Sequence, residues 1–102
     1  MPKWVVLDLE TTGLDPDNDL ILEAGVVEVD PDTLAVQGVF SMVNQAFSRE
    51  VVDARMGAYV RDMHTSNGLL SCIPEVADEN CDLEGAVAAF IGEEKGAILV
   101  GN

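Results

Sequence analysis

Trp4-Val5-Val6-Leu7-Asp8-Leu9-Glu10-Thr11-Thr12-Gly13-Leu14 is the stretch that decides how this chain is read. A short apolar run passes directly into two carboxylates separated by a single leucine. The run is rich in β-branched and aromatic residues and is bounded by Gly13, so residues 4–10 are expected to form a fully buried strand. On a strand, residues i and i+2 point to the same face, with Cα atoms roughly 7 Å apart. Asp8 and Glu10 then present two like charges side by side, which burial penalises unless a cation compensates them. A plain core strand carries Val or Ile at such positions. Hard carboxylate oxygens suit a hard divalent cation. The first strand is therefore expected to hold one, with Asp8 and Glu10 as metal ligands and catalytic residues.

Outward from this strand, Asp15-Pro16-Asp17-Asn18-Asp19 concentrates turn-forming residues and reads as a polar loop. Acids at 15, 17 and 19 have the spacing of a calcium loop. Leu20, however, stands where an EF-hand needs glycine, and Val26 where it needs glutamate, so a solvated turn is expected. A second strand is predicted over about 20–30, with Glu23 on it as a structural partner rather than a ligand. Asp30-Pro31-Asp32 makes a hairpin connection into a third strand over about 34–43, giving an antiparallel meander. From Ser48 the period changes. Val52, Met56, Tyr59, Val60 and Met63 predict a helix over about 50–64, stopped at Asn67-Gly68. After an irregular stretch holding Pro74, the residues Leu83, Val87, Phe90 and Ile91 predict a second helix over about 82–94. Gly96 is its expected stop, and Ala97-Ile98-Leu99-Val100 reads as a further strand. The pattern β-β-β-α-α-β is that of an α/β layered domain.

Composition bounds the rest. A chain of 102 residues with 48% apolar and 24% charged residues is one small globular domain rather than a disordered segment. Its uncharged stretches fall short of the ~18 residues of a membrane helix, and its N-terminus lacks the pattern of a signal peptide. A soluble, cytoplasmic protein with no membrane partner is expected. The net charge is −14, with only Lys3, Arg49, Arg55, Arg61 and Lys95 on the basic side. Such a surface excludes a grip on long nucleic acid through many phosphate contacts. It is compatible with a short substrate held by metal ions and a few side chains. Cys72 and Cys81 form neither a CxxC pair nor a Cys/His set at ligand spacing, so two free thiols are expected.

The strand, the Asp-x-Glu-Thr-x-Gly motif and the meander together resemble the DEDD exonuclease superfamily, which has a ribonuclease H-like fold. Within it the chain looks like oligoribonuclease along its whole length. The likeness runs through Asp8-Leu9-Glu10-Thr11-Thr12-Gly13-Leu14-Asp15-Pro16, then Asp19-x-Ile21-x-Glu23 and Met56-x-x-Tyr59. It continues through His64-Thr65-Ser66-Asn67-Gly68-Leu69 and ends in Ile98-Leu99-Val100-Gly101-Asn102. Asp-x-Glu-Thr-x-Gly would also fit proofreading exonucleases, whereas the aromatic-x4-His-Thr-x-x-Gly-Leu block singles out oligoribonuclease. Thr12 stands where the family commonly has Met, a departure expected to touch the metal loop little. Tyr59 stands where it commonly has Trp, which bears on base stacking.

This resemblance implies a 3′-to-5′ exoribonuclease acting on short RNA oligonucleotides through two divalent ions, Mg²⁺ or Mn²⁺, commonly as a homodimer. It makes Asp8 and Glu10 two of four metal-holding acids. It implies Leu14 as a wedge between the terminal bases, Tyr59 as a stacking residue, and His64 and Ser66 as substrate contacts. Each has a plainer competitor: core packing for Leu14 and Tyr59, a helix cap for His64 and turn chemistry for Ser66. The family's third acid, its general-base His and its fourth acid fall beyond Asn102. Residues 1–102 are thus expected to be the N-terminal portion of a single exonuclease domain, truncated at its C-terminal side. A polypeptide ending there is expected to hydrolyse a labelled RNA dinucleotide little or not at all with Mn²⁺. Two other readings remain: a general or proofreading-type exonuclease on DNA, and a non-catalytic remnant that binds nucleotides or a partner.

Overall fold

The computed structural model describes residues 4–15 and 17–92 in full and residues 98–101 through their backbone. Three strands open the chain: β1 (Trp4–Thr11), β2 (Ile21–Val29) and β3 (Val36–Val43). They pair as the expected antiparallel meander, β1 with β2 from Trp4↔Val29 to Glu10↔Glu23, and β2 with β3 from Glu23↔Val43 to Val29↔Val36. A fourth strand, β4 (Ile98–Gly101), runs parallel to β1 on its other side, so the order is β3-β2-β1-β4. A parallel neighbour requires a long crossover. Four helices lie along it: α1 (Arg49–Arg55), α2 (Ala58–Ser66), α3 (Leu69–Cys72) and α4 (Leu83–Ile91). This is the α/β arrangement expected of the N-terminal part of a ribonuclease H-like domain. It makes β1 an inner strand, paired on both sides.

The β2–β3 hairpin closes where Asp30-Pro31-Asp32 predicts it. Leu34 N donates to Asp30 O (2.7 Å) and Asp30 N to Ala35 O (3.0 Å). The first strand is less enclosed than its apolar run implies. Val5 is buried, but Asp8 and Leu9 are exposed and Glu10 is half-buried. Leu7 and Leu9 share the face on which α4 packs, where a cleft of about 260 Å³ separates them from Val87, Ala88 and Ile91. Cover thins toward the C-terminal end of the strand, which is the end that carries the acids.

The predicted helix over 50–64 is two helices. Met56 (φ −96°, ψ 137°) and Gly57 (φ −77°, ψ 170°) are extended and break it. Ser48 Oγ caps the start of α1 by accepting from Val51 N (3.3 Å). The carbonyls freed at its end are taken by a side chain: Arg61 Nη2 donates to Asp53 O (2.7 Å) and Met56 O (3.4 Å). The break lets the two helices adopt separate phases. Val52 and Met56 turn into a core with Leu22, Leu69 and Ile73, while Tyr59 and Met63 turn outward.

Asn67 and Gly68 end α2 as expected, with Gly68 at φ 83°, a left-handed conformation natural to glycine. The short α3 was not predicted; four residues are too few to show a period, yet Leu69 and the following Ile73 are buried. Asp82 caps α4 by accepting from Gly85 N (2.9 Å). The helix ends at Gly92, φ 71°, rather than near 94; the predicted stop at Gly96 lies outside the described residues. Phe90 of α4 stacks on Phe40 of β3 with ring centroids 5.3 Å apart. Both cysteines are free. Among the described residues no helix is long and apolar enough to cross a membrane.

Candidate active site

Asp8 and Glu10 lie on one face of β1, and the register supplies their neighbours. Opposite Asp8 is Gly25, where a Cβ would meet nothing closer than the Asp8 carbonyl oxygen at 3.9 Å. On the β2 side, Asp8 therefore faces no cross-strand side chain at its paired position. Opposite Glu10 is Glu23, a second carboxylate on the same face. Like charges directly across a ladder destabilise it by a few tenths of a kcal/mol to about 1 kcal/mol. Three acids thus share this end of the sheet, although among the described residues no three metal-binding side chains converge into a cage. Two carboxylates on one strand face suit a divalent cation as part of its ligand set. Glu23, read from sequence as merely structural, is a neighbour of the pair through strand register, which the composition of β2 alone does not show.

The loop after β1 is built around one carboxylate. Thr12 Oγ1 donates to Asp19 Oδ1 (2.7 Å), and Asp15 N donates to Asp19 Oδ2 (2.9 Å). Thr12 Oγ1 also accepts from Leu20 N (2.9 Å), and Thr12 is 1% exposed. Both oxygens of Asp19 thus close the loop. A Cβ on Gly13 would fall 2.5 Å from Asp19 Oδ2. Gly13→Ala is expected to displace Asp19, break both bonds and lower stability by about 1–3 kcal/mol, read as the midpoint of denaturant unfolding.

Farther along, Asp15 accepts from Asn18 Nδ2 (2.7 Å) and Asp17 N (2.9 Å). These bonds, the Asn18 amide foremost, hold its carboxyl below the usual 3.8. A depressed folded-state pKa contributes stability above the unfolded value, lost as pH falls through the folded one. The loop bonds are thus expected to persist at neutral pH and to let go only below about pH 4. A carboxyl-detected NMR titration of Asp15 tracks this directly, and a midpoint at or above the ordinary aspartate value would contradict it.

On the other side of the loop, Glu10 forms the floor of a cleft of about 280 Å³, walled by Leu9, Leu14, Tyr59, Val60 and Met63. The Glu10 side chain keeps 34% of its surface exposed. Leu14 is 100% exposed and Tyr59 82% exposed, so neither is a core residue. A carboxylate-bearing residue and exposed apolar side chains thus border one cleft. His64 is 0% exposed; its Nε2 donates to Thr11 O (2.8 Å), and its Nδ1 stands 3.8 Å from Glu10 Oε2. It reaches the cleft through Glu10 and Thr11, not through surface of its own. Ser66 is the exposed last residue of α2 and is not among those lining the cleft. A larger cleft of about 540 Å³ lies across the Thr11–Asp15 loop, rimmed by Asp15, Asp19 and Glu84.

The three arginines are turned to internal use. Arg49 Nη2 donates to Ile73 O (3.0 Å), Arg55 Nη1 to Asn18 O, and Arg61 to the end of α1. Among the described residues no arginine or lysine lines the cleft at Glu10.

Comparison with known proteins finds relatives similar in sequence. An oligoribonuclease from Corynebacterium diphtheriae is 34% identical over 104 residues, covering 98% of this chain and 49% of that protein. The chain is similar to the N-terminal part of oligoribonucleases. Oligoribonucleases of Pseudomonas fluorescens and Pseudomonas syringae pv. tomato are 36% and 37% identical over 90 residues, 86% of this chain. The chain spans about half the length of the curated relatives it matches. No protein-family profile matches it. Of the two departures from the oligoribonuclease pattern, Thr12 proves the more structural: its buried hydroxyl closes the loop, contrary to the expectation that this position matters little.

Proposed function

We propose that the protein is a 3′-to-5′ exoribonuclease that degrades short oligoribonucleotides to mononucleotides. Residues 1–102 form the N-terminal portion of its single exonuclease domain. The observation that carries this reading is the cleft lined by Glu10 together with exposed Leu14 and Tyr59, with Asp8 two residues away on the same strand face. The likeness to oligoribonucleases supports it.

Asp8 and Glu10 would hold the divalent metal, Mg²⁺ or Mn²⁺, with further ligands supplied from outside the described residues. When bound, such an ion supplies positive charge to the scissile phosphate and lowers the pKa of a bound water. The chain's own residues handle the bases. Leu14 inserts between the two terminal bases, and Tyr59 offers its ring face to one of them. His64 stands behind Glu10, and Ser66 serves the substrate from the end of α2. With no basic side chain lining the cleft, little in the described residues grips a long phosphate backbone, and the acidic surface repels one. Short RNA is the substrate this favours. The family resemblance implies a homodimer, and the composition a cytoplasmic location.

Hydrolysis of a 5′-labelled RNA dinucleotide by the protein at its natural length, compared with a long single-stranded DNA, tests the proposal. Rapid turnover of the dinucleotide with little attack on the DNA is expected. The opposite preference would favour a proofreading-type exonuclease.

A further inference from the structure

We propose that Asp19 and Thr12 are positioning residues for Leu14: they fix the backbone on which it stands, so that its side chain is held at the cleft before a substrate arrives. The inference rests on the reading of Leu14 as a substrate contact.

Leu14 joins a free side chain to a constrained backbone. The side chain is wholly exposed, so its place is not set by packing. The backbone is tied on both sides. The peptide unit before Leu14 is held through Gly13 O, which accepts from Thr11 Oγ1 (2.6 Å). The unit after it is held through Asp15 N, which donates to Asp19 Oδ2 (2.9 Å). Each peptide unit is planar, so fixing the two flanking units fixes φ and ψ of the residue between them.

Asp19 can act in this way because it is itself anchored. Its Oδ1 accepts from Thr12 Oγ1 (2.7 Å), and its N donates to Asp15 O (2.9 Å). Thr12 is buried where the loop leaves and rejoins the sheet. Its N donates to Leu20 O (3.0 Å), and its Oγ1 accepts from Leu20 N (2.9 Å). A chain of bonds therefore runs from the buried base of the loop, through one carboxylate, to the residue after Leu14. The far turn is tied as well, because Arg55 Nη1 donates to Asn18 O. Arg55 ends α1, and α2, which carries Tyr59, begins three residues later. The loop of Leu14 is thus joined to the helix junction that leads into Tyr59, the other exposed residue at the cleft. A contact group held in place beforehand spares the ordering cost otherwise met on binding.

Kinetics on an RNA dinucleotide with saturating Mn²⁺, using the protein at its natural length, tests this. Asp19 is half-buried, so Asp19→Ala opens no cavity in the core. It is expected to raise KM about 3- to 10-fold, the cost of ordering one side chain at the moment of binding. Both kcat and the Mn²⁺ affinity from titration calorimetry are expected to stay within about 2-fold, since the loss is confined to substrate binding. Thr12→Val removes the hydroxyl at nearly constant size and is expected to raise KM likewise, whereas Thr12→Ser keeps the hydroxyl and the original KM. The deciding comparison is made on Leu14→Ala: with Leu14 gone, adding Asp19→Ala is expected to change KM no further. An unchanged KM in Asp19→Ala, or an equal rise with and without Leu14, would overturn the positioning role. So would a loss of Mn²⁺ affinity matching the rise in KM, which marks general damage to the site. Should either Asp19→Ala or Thr12→Val fail to fold, the other decides. Leu14→Ala with the KM of the unsubstituted protein would instead overturn the reading of Leu14 as a substrate contact, and this inference with it.

Discussion

Asp8→Asn and Glu10→Gln are each expected to abolish turnover of an RNA dinucleotide by the protein at its natural length, by on the order of 10³-fold. A metal ion contributes several kcal/mol of charge stabilisation in a phosphoryl-transfer transition state, and each 1.36 kcal/mol is a factor of ten. Loss of one hard ligand from a site in which only two carboxylates have been located leaves too little to hold the ion in register. The same variants carry a second signature in stability. At Mn²⁺ concentrations about 100 times Kd, binding stabilises the folded state by about 2.7 kcal/mol, which for a domain about twice the length of this chain raises Tm by roughly 5–10 °C. That rise is expected in the unsubstituted protein and absent in the variants. Without metal, Glu10→Gln removes the repulsion across the ladder from Glu23, so its stability is expected to change by no more than about 1 kcal/mol in either direction. Undiminished turnover in either variant would refute the assignment of these residues as metal ligands.

Tyr59→Ala and Leu14→Ala are expected to weaken dinucleotide binding without touching the fold. A base stacked on an aromatic ring contributes about 1–3 kcal/mol, so Tyr59→Ala should raise KM about 5- to 150-fold. Leu14→Ala should act in the same direction and less strongly, because the wedge offers apolar contact but no ring. Stability is the control. Both side chains are almost wholly in water, and substitutions at such positions lie within about 0.5 kcal/mol of neutral. Tyr59→Trp is expected to tighten binding by enlarging the stacking surface. A drop in Tm of more than a few degrees in Tyr59→Ala, with KM unchanged, would return Tyr59 to a packing role.

The contrast between these two pairs of residues shows where sequence reasoning stops. Asp8 and Glu10 are legible because period-2 geometry places them together whatever the rest of the chain does. Tyr59 belongs to a helical period with Val52, Met56, Val60 and Met63, and from that period it reads equally well as core. The extended pair Met56-Gly57 resets the phase, and only then does Tyr59 turn outward while Met56 turns in. Thr12 was undervalued for a similar reason. Its importance is a partnership with Asp19 seven residues on, invisible until the loop closes.

By itself the sequence determined the meander, the hairpin at Asp30, the break at Asn67-Gly68 and the carboxylate pair. Each depends on local rules of strand alternation, turn chemistry and helix ending that act within a few residues. The tertiary structure decided what surrounds that pair. It set Glu23 across from Glu10, brought His64 from α2 to within 3.8 Å of Glu10, and left Leu14 and Tyr59 open on the rim. Those juxtapositions join residues far apart in the chain, and strand register and helix phase fix them only when the elements pack.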